Sequence, residues 1–346
     1  MKKAFVIWVR EVKLSEFLAR EIGADLVISY IPKRGNFKNP ILFRYIDQAI
    51  DTWKKLRKIK PDVIFVQSPP IFAVLVVYWY SKLYKTSYII DTHTAGFIDK
   101  KWKFFHFLSR FFAKRALLNT VHNYKNQEFL DLWGIKNSYV LQFYNPKKEE
   151  LLGEEEVELP IRLKNKLKSQ MDFKVFMVNR FANDDAHREV FQLAAKMPEA
   201  LFFVTGDAGK LDYETKIKLP KNIVLTGYLK HKEFIKLMEK SDIVLALTKR
   251  KDTVLWSIRE ILALQKPFVT SDSEVLRHYF DSIATFTDHT PLDMEEKIKE
   301  VWKNRFEIKG RIEMFLEKDK ERWKKDMAYL QKIIADDQNT EAKRSK

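Results

Sequence analysis

The chain predicts an α/β protein built from two doubly wound parallel sheets, and three observations carry that expectation. Continuous apolar runs of strand length recur, among them Ala4–Val9, Asp62–Gln67, Phe173–Val178, Leu201–Thr205 and Ile243–Leu247. Runs without polar alternation mark strands buried on both faces, as in parallel sheets. Segments of helical period separate them, which is the signature of βαβ units. Between the two series lies Pro146–Lys168, rich in charge runs and broken by Gly153 and Pro160, with no long apolar period. Such a stretch reads as a linker. The 346 residues suffice for two medium domains.

Taken in order, Ala4–Val9 is a strand, a turn follows, and Phe17, Leu18 and Ile22 give the next helix its apolar face. Gly23 ends that helix and Asp25–Ser29 is a second strand. An amphipathic helix from Ile41 to about Leu56, the strand Asp62–Gln67, a helix Ile71–Tyr84 and a strand Tyr88–Asp91 continue the alternation. Lys100–Arg115 is helical in period, with Trp102 and five phenylalanines set among lysines and arginines. It reads either as an interfacial helix on anionic headgroups or as a half-buried helix with solvated lysines. Leu118–Val121 is a strand. In the second half, strand Ile243–Leu247, a basic loop Thr248–Thr253, a helix Leu255–Leu264 and strand Pro267–Thr270 form one unit. Two helices, Pro291–Arg305 and Arg311–Ile334, close the chain. The expected division is 1–150, a linker 151–168, 169–308, a helix 309–336 returning to the first domain, and a polar, disordered tail 337–346.

Composition narrows the chemistry. Sixty-three Lys+Arg against 47 Asp+Glu give a formal charge of +16, which favours acidic partners such as phosphates or an anionic membrane. No nucleic-acid recognition motif appears, so that partner is not expected. Cysteine is absent, excluding disulfides and thiol chemistry. The seven histidines are scattered without zinc spacing and no persuasive D-x-D pair occurs, so no metal is expected. Neither G-x-G-x-x-G nor G-x-x-x-x-G-K-[ST] is present, which disfavours dinucleotide oxidoreductases and P-loop ATPases. No secretory signal and no apolar run near the ~20 residues of a membrane span is seen, so a cytoplasmic chain, peripheral on the membrane, is expected.

The helix starting near Leu255 places its N-terminus at the carboxyl end of a strand, where free N–H groups favour an anion. Lys249 and Arg250 crowd the same loop, and Asp252 and Glu260 are separated by seven residues. His93 follows a strand in Asp91-Thr-His93, where an adjacent acid can fix its tautomer. Arg10, Lys13 and Ser15 form the first turn, readable as an anion site or as a solvated turn.

These segments resemble family-4 retaining glycosyltransferases of the two-domain GT-B fold, in which two Rossmann-like domains face a central cleft. Asp252-x7-Glu260 resembles their E-x7-E pair, with Asp where the first Glu is usual, and Lys266-Pro267-Phe-Val-Thr-Ser271 follows as their small-residue strand does. Asn179-Arg180 stands at their G-R-x-x-x-x-K motif, with Asp185 at the lysine. Gly206-Asp207 resembles their G-x-G turn, and Asn222–Leu229 their base-contacting segment. The resemblance implies that Glu260 holds the ribose, Asp252 and His93 the donor sugar, and Arg180 the diphosphate. It also implies that Gly206, Lys249, Arg250, Thr253, Val254 and Leu255 line the donor site. Arg10, Lys13 and Ser15, with Lys100, Lys101, Trp102 and Lys103, would then face the acceptor or membrane. The implied activity is metal-independent transfer of a sugar, such as a hexose, from a nucleotide-diphosphate sugar, a co-substrate and not a cofactor, to a lipid-linked or glycan acceptor. A nucleotide-sugar epimerase on the same fold, or an inactive scaffold, are the alternatives.

Overall fold

A computed structural model describes residues 1–10, 13–32, 41–142, 144–153 and 156–344; the side chains of 13, 14, 42 and 341–344 also lie outside the description. The chain divides into two compact units, one formed by Met1–Tyr144 with Glu321–Lys346 and the other by Asn145–Lys320.

The first unit holds β1 (Lys3–Ile7), β2 (Asp25–Ile28), β3 (Val63–Ser68), β4 (Ser87–Thr92), β5 (Leu118–Val121) and β6 (Ser138–Val140), in the order β2-β1-β3-β4-β5-β6. Every pairing in it is parallel. Successive residues of a strand point to opposite faces. Thus Ala4, Val6, Ile64 and Val66 enter one core with the helix Ile71–Tyr84. Phe5, Ile7, Val63 and Phe65 enter the other, with Trp323, Leu330 and Ile334 of the last helix. Both faces are covered, which is why the strands read as unbroken apolar runs.

The second unit repeats the plan with β7 (Phe173–Met177), β8 (Ala200–Thr205), β9 (Ile223–Gly227), β10 (Ile243–Ala246), β11 (Phe268–Ser271) and β12 (Thr285–Thr287), ordered β12-β11-β10-β7-β8-β9. This sheet is also parallel throughout. Its strand order reverses between β7 and β10, which in an open α/β sheet is where ligands bind.

Several expectations are corrected. The stretch expected as a bare linker, 151–168, contains the helix Ile161–Leu167 and the end of Lys148–Leu152. Leu151, Leu152 and Leu163 are buried, so short apolar anchors order what the charge runs disguised. The tail 337–346 is not disordered over its described part, since one helix runs Arg305–Arg344. Its buried Leu330 and Ile334 and the hydrogen bond from Ser87 to Asp337 fix the helix, and propagation then adds one bond per residue. The expected helix Lys100–Arg115 is two, Lys100–Lys103 and His106–Ala113, broken at Phe104–Phe105. Phe105 turns inward against Phe72, with ring centroids 5.3 Å apart. The three-residue edge strands β6 and β12 are too short to show a period.

Candidate functional site

The loops leaving β7 and β10 enclose a pocket of about 330 Å³ at the point where the strand order reverses. Asn179, Arg180, Thr248 and Arg250 line it with Thr253–Ser257. It is built wholly within the second unit. The helix Trp256–Ala263 opens at this pocket behind Leu255, which is extended and offers no side-chain cap. The partial positive charge of a helix N-terminus favours an anion there.

Backbone staples shape the first loop. Asp185 is buried, and its carboxylate accepts the N–H of Arg180 at 2.8 Å and of Ala182 at 3.0 Å. The acid at the position of the family's lysine thus holds the loop in place of touching a ligand. Asp184 meets Arg180 and Arg250, each at 3.3 Å, so one carboxylate orients both guanidinium groups. Behind the loop stands Gly206 at φ +106°, where an added Cβ would lie 2.8 Å from the Asn179 carbonyl oxygen and 3.1 Å from the Arg180 Cα. Only glycine lets the two backbones approach so closely. Lys210 donates to the Arg180 carbonyl at 2.8 Å.

Of the expected donor-site residues, Arg180, Arg250, Thr253, Val254 and Leu255 come together in the pocket lining. Lys249 does not; it pairs with Glu189 at 2.6 Å and lines a neighbouring basic pocket with Arg188 and Lys210. Burial raises the Glu189 carboxyl, and the hydrogen bond from Lys249 outweighs it, holding the group below its ordinary value. Asp252 takes left-handed φ (+57°) in the same loop and is not among the lining residues. Glu260 is buried, and its Oε1 accepts from Trp256 Nε1 at 3.1 Å and lies 2.7 Å from His231 Nε2. Trp256 is itself part of the pocket wall. The Trp256/Glu260 contact was open to reading from its i,i+4 spacing. His231, on the loop-helix after β9, left no such signal.

In the first unit, β4 and β5 are neighbours, and the residues past their ends bring His93 and His122 to the Asp91 carboxylate. Asp91 is fully buried and the His122 side chain is 3% exposed, against 22% for His93. Burial raises the Asp91 carboxyl, but attraction to His122 and His93 prevails and holds it far below the carboxylate range. Burial pushes His93 below the ordinary imidazole value against the pull of Asp91. His122 and Thr120 were missed by the sequence reading.

Arg10 is exposed, while Ser15 is fully buried and donates to Gln67 Oε1 at 3.3 Å. Its hydroxyl is spent inside the fold, which corrects the expectation that it meets an anion. Lys13 has its side chain outside the described residues. Lys100, Lys101 and Lys103 are exposed, with Trp102 half-buried against the first core. Among the described residues no helix is long and apolar enough to cross a membrane.

Residues 161–324 match the family of glycosyl transferases group 1. That span covers the pocket and almost all of the second unit. Among curated proteins none matches the chain in sequence. Solved structures are similar over nearly the whole chain. Anabaena Alr3699/HepE in complex with UDP-glucose aligns with TM-score 0.71 and 15% identity, covering 98% of this chain and 100% of that one. Sucrose-phosphate synthase from Thermosynechococcus elongatus gives 0.68 and 10%, over 95% and 99%. An E. coli structure described as trehalose-6-phosphate bound with UDP-2-fluoro glucose gives 0.68 and 12%, over 96% and 99%. At such identities the likeness establishes the fold, and that fold is GT-B.

Proposed function

We propose that the chain is a retaining, family-4-type glycosyltransferase that moves a sugar from a nucleotide-diphosphate sugar to a lipid-linked or glycan acceptor. The observation that carries this is the pocket where the strand order reverses, in which Arg180, Arg250 and an uncapped helix N-terminus converge. Sugar transfer leaves a diphosphate, and fixed positive groups aimed at that developing charge supply the largest catalytic term. Glu260, held by Trp256 and His231, is the group for the ribose, and His93 and Asp252 are assigned to the donor sugar on the family resemblance. Solved structures of the same fold are described with UDP and UDP-glucose, which makes a UDP-sugar the first donor to try.

The acceptor side rests on a surface of the first unit. Phe104 (76% exposed), Phe107 (64%) and Trp79 (59%) project there beside Lys100, Lys101, Lys103 and Arg110. Phe111 continues the strip against Tyr78, with centroids 5.7 Å apart, and carries Arg115 over its ring at 3.7 Å. Exposed aromatics rimmed by cations suit the headgroup layer of an anionic membrane, with about 1 kcal/mol per basic residue near the surface. Such a surface supports a reading in which the work is done at the cytoplasmic face of a membrane on a lipid-linked acceptor.

The test is calorimetric titration with UDP and UDP-sugars, followed by turnover on lipid acceptors. Binding by the wild type, lost in Glu260→Ala, supports the donor site. A second reading, an inactive scaffold, is favoured by Asp185 serving the loop and by Asp252 lying off the pocket wall. A chain that binds UDP yet shows neither transfer nor donor hydrolysis would establish it.

A further inference from the structure

We infer that Arg259 is a positioning residue that couples the candidate donor pocket to both points where the chain enters and leaves the second unit, so that filling the pocket stiffens both crossings. The inference rests on the reading of that pocket as the donor site.

Arg259 is 1% exposed and is the largest of the fully buried side chains among the described residues. A guanidinium taken out of water is costly unless an opposite charge and hydrogen bonds compensate it. The compensation comes from the two ends of the unit. Arg259 Nη1 donates to Asn145 Oδ1 at 2.9 Å and lies 3.7 Å from Asp319 Oδ2. Asn145 Nδ2 in turn donates to Asp319 Oδ2. The second unit begins at Asn145 and ends at Lys320, so Arg259 holds its first and its penultimate residue together. Those two are 174 positions apart in the chain, and no local turn accounts for the joint.

Further contacts reinforce each crossing. The Arg259 guanidinium sits 5.3 Å over the Phe280 ring, and Phe280 stands 6.2 Å from Phe315, one turn ahead of Asp319 on the last helix. Helix Lys148–Leu152, just past the first crossing, packs on helix Trp256–Ala263.

That second helix carries Arg259 and also builds the pocket. Trp256 and Ser257 line the pocket, and Glu260, next to Arg259, is bonded to Trp256 and His231. Eight residues joined by backbone hydrogen bonds move as one piece, so a nucleotide that fixes the first turn also fixes Arg259. Packing alone does not call for an arginine here, since an apolar side chain of like volume fills such a space at no loss of stability. A directional joint between distant segments does call for one.

Hydrogen exchange of the full chain, read by mass spectrometry with and without UDP, tests the coupling, and calorimetry on the same samples reads UDP binding. In the free protein Arg259→Met should speed exchange about 10–100-fold in both 145–152 and 312–320, while β7 and β8 stay within about twofold. That range corresponds to the loss of hydrogen bonds to a charged group. UDP should slow both segments in the wild type and neither in Arg259→Met, although the variant still binds it. Should Arg259→Met fail to fold, Asn145→Ala decides. It cuts the first crossing alone, so 145–152 should loosen while 312–320, still paired through Arg259 and Asp319, keeps its protection. Unchanged exchange in both segments, faster exchange spread evenly over the unit, or junction protection by UDP retained in Arg259→Met overturns the inference. A wild type that binds UDP without slowing either segment refutes the coupling alone. One that binds no UDP refutes the donor reading and the coupling with it, and the ligand-free comparison then decides whether Arg259 holds the crossings.

Discussion

Gly206→Ala tests how the candidate donor pocket is built. At φ +106° a side chain is strained, and the new Cβ would sit 2.8 Å from the Asn179 oxygen and 3.1 Å from the Arg180 Cα. An unfavourable backbone conformation costs about 1–3 kcal/mol. Overpacking adds about 1–3 kcal/mol, because two of the three atoms it meets are backbone and cannot rotate away, the third being the Phe181 ring at 3.1 Å. The total is about 2–6 kcal/mol. For a unit of this size each kcal/mol moves the midpoint by about 2–4 °C, so the unfolding transition should fall by roughly 5–20 °C. The loop that yields is the one carrying Arg180, so UDP affinity should drop with stability. Differential scanning calorimetry and UDP titration on the same preparation read both quantities. A variant that melts within about 1 °C of wild type and binds UDP equally well would refute the close-approach argument.

Arg180→Ala should lower kcat by about 10²–10³, as removal of one transition-state charge partner does, with unchanged melting because the side chain is exposed. Glu260→Ala leaves His231 Nε2 and Trp256 Nε1 without their shared acceptor, so about 1–3 kcal/mol of stability should go together with UDP binding. Glu260→Gln should regain stability more than binding. Glu239 is pushed down to about 2, since Lys148 and Lys236 outweigh the effect of its burial. A depressed carboxyl contributes stability above its unfolded value, about 4.3, that is lost as pH falls toward 2. Lys148→Met should therefore flatten the acid limb of a melting-temperature profile between those values; an unchanged limb would count against the pair. Reversing the charges of Lys100, Lys101 and Lys103 together with Phe107→Glu should abolish sedimentation with anionic vesicles, and retained sedimentation would return that surface to ordinary solvent.

The apolar runs were enough to place nine of the twelve described strands, because a strand buried on both faces must be apolar along its length. The exceptions, β6, β9 and β12, are edge strands, and β6 and β12 have three residues each, too few to carry a period. Helix Ile71–Tyr84 was legible for its length and apolarity, whereas the break inside Lys100–Ala113 was not. That break is set by Phe105 turning in toward Phe72, a contact between residues far apart in the chain.

The candidate site divides the same way. Local order fixed what local order can fix: the basic loop, the helix start after Leu255 and the glycine at 206 are each written in a few adjacent residues. Sequence alone thus determined most of the strand series, the repeated α/β plan and the basic loop that leads into the helix after Leu255. Only the tertiary structure decided which charges point into the pocket. Lys249 turns to Glu189, Ser15 to Gln67, and Asp185 to the backbone of its own loop. It also joined His231 to Glu260 and His122 to Asp91. These partners sit on separate strands and helices, and a parallel sheet brings such ends together through crossovers whose length leaves no spacing to read.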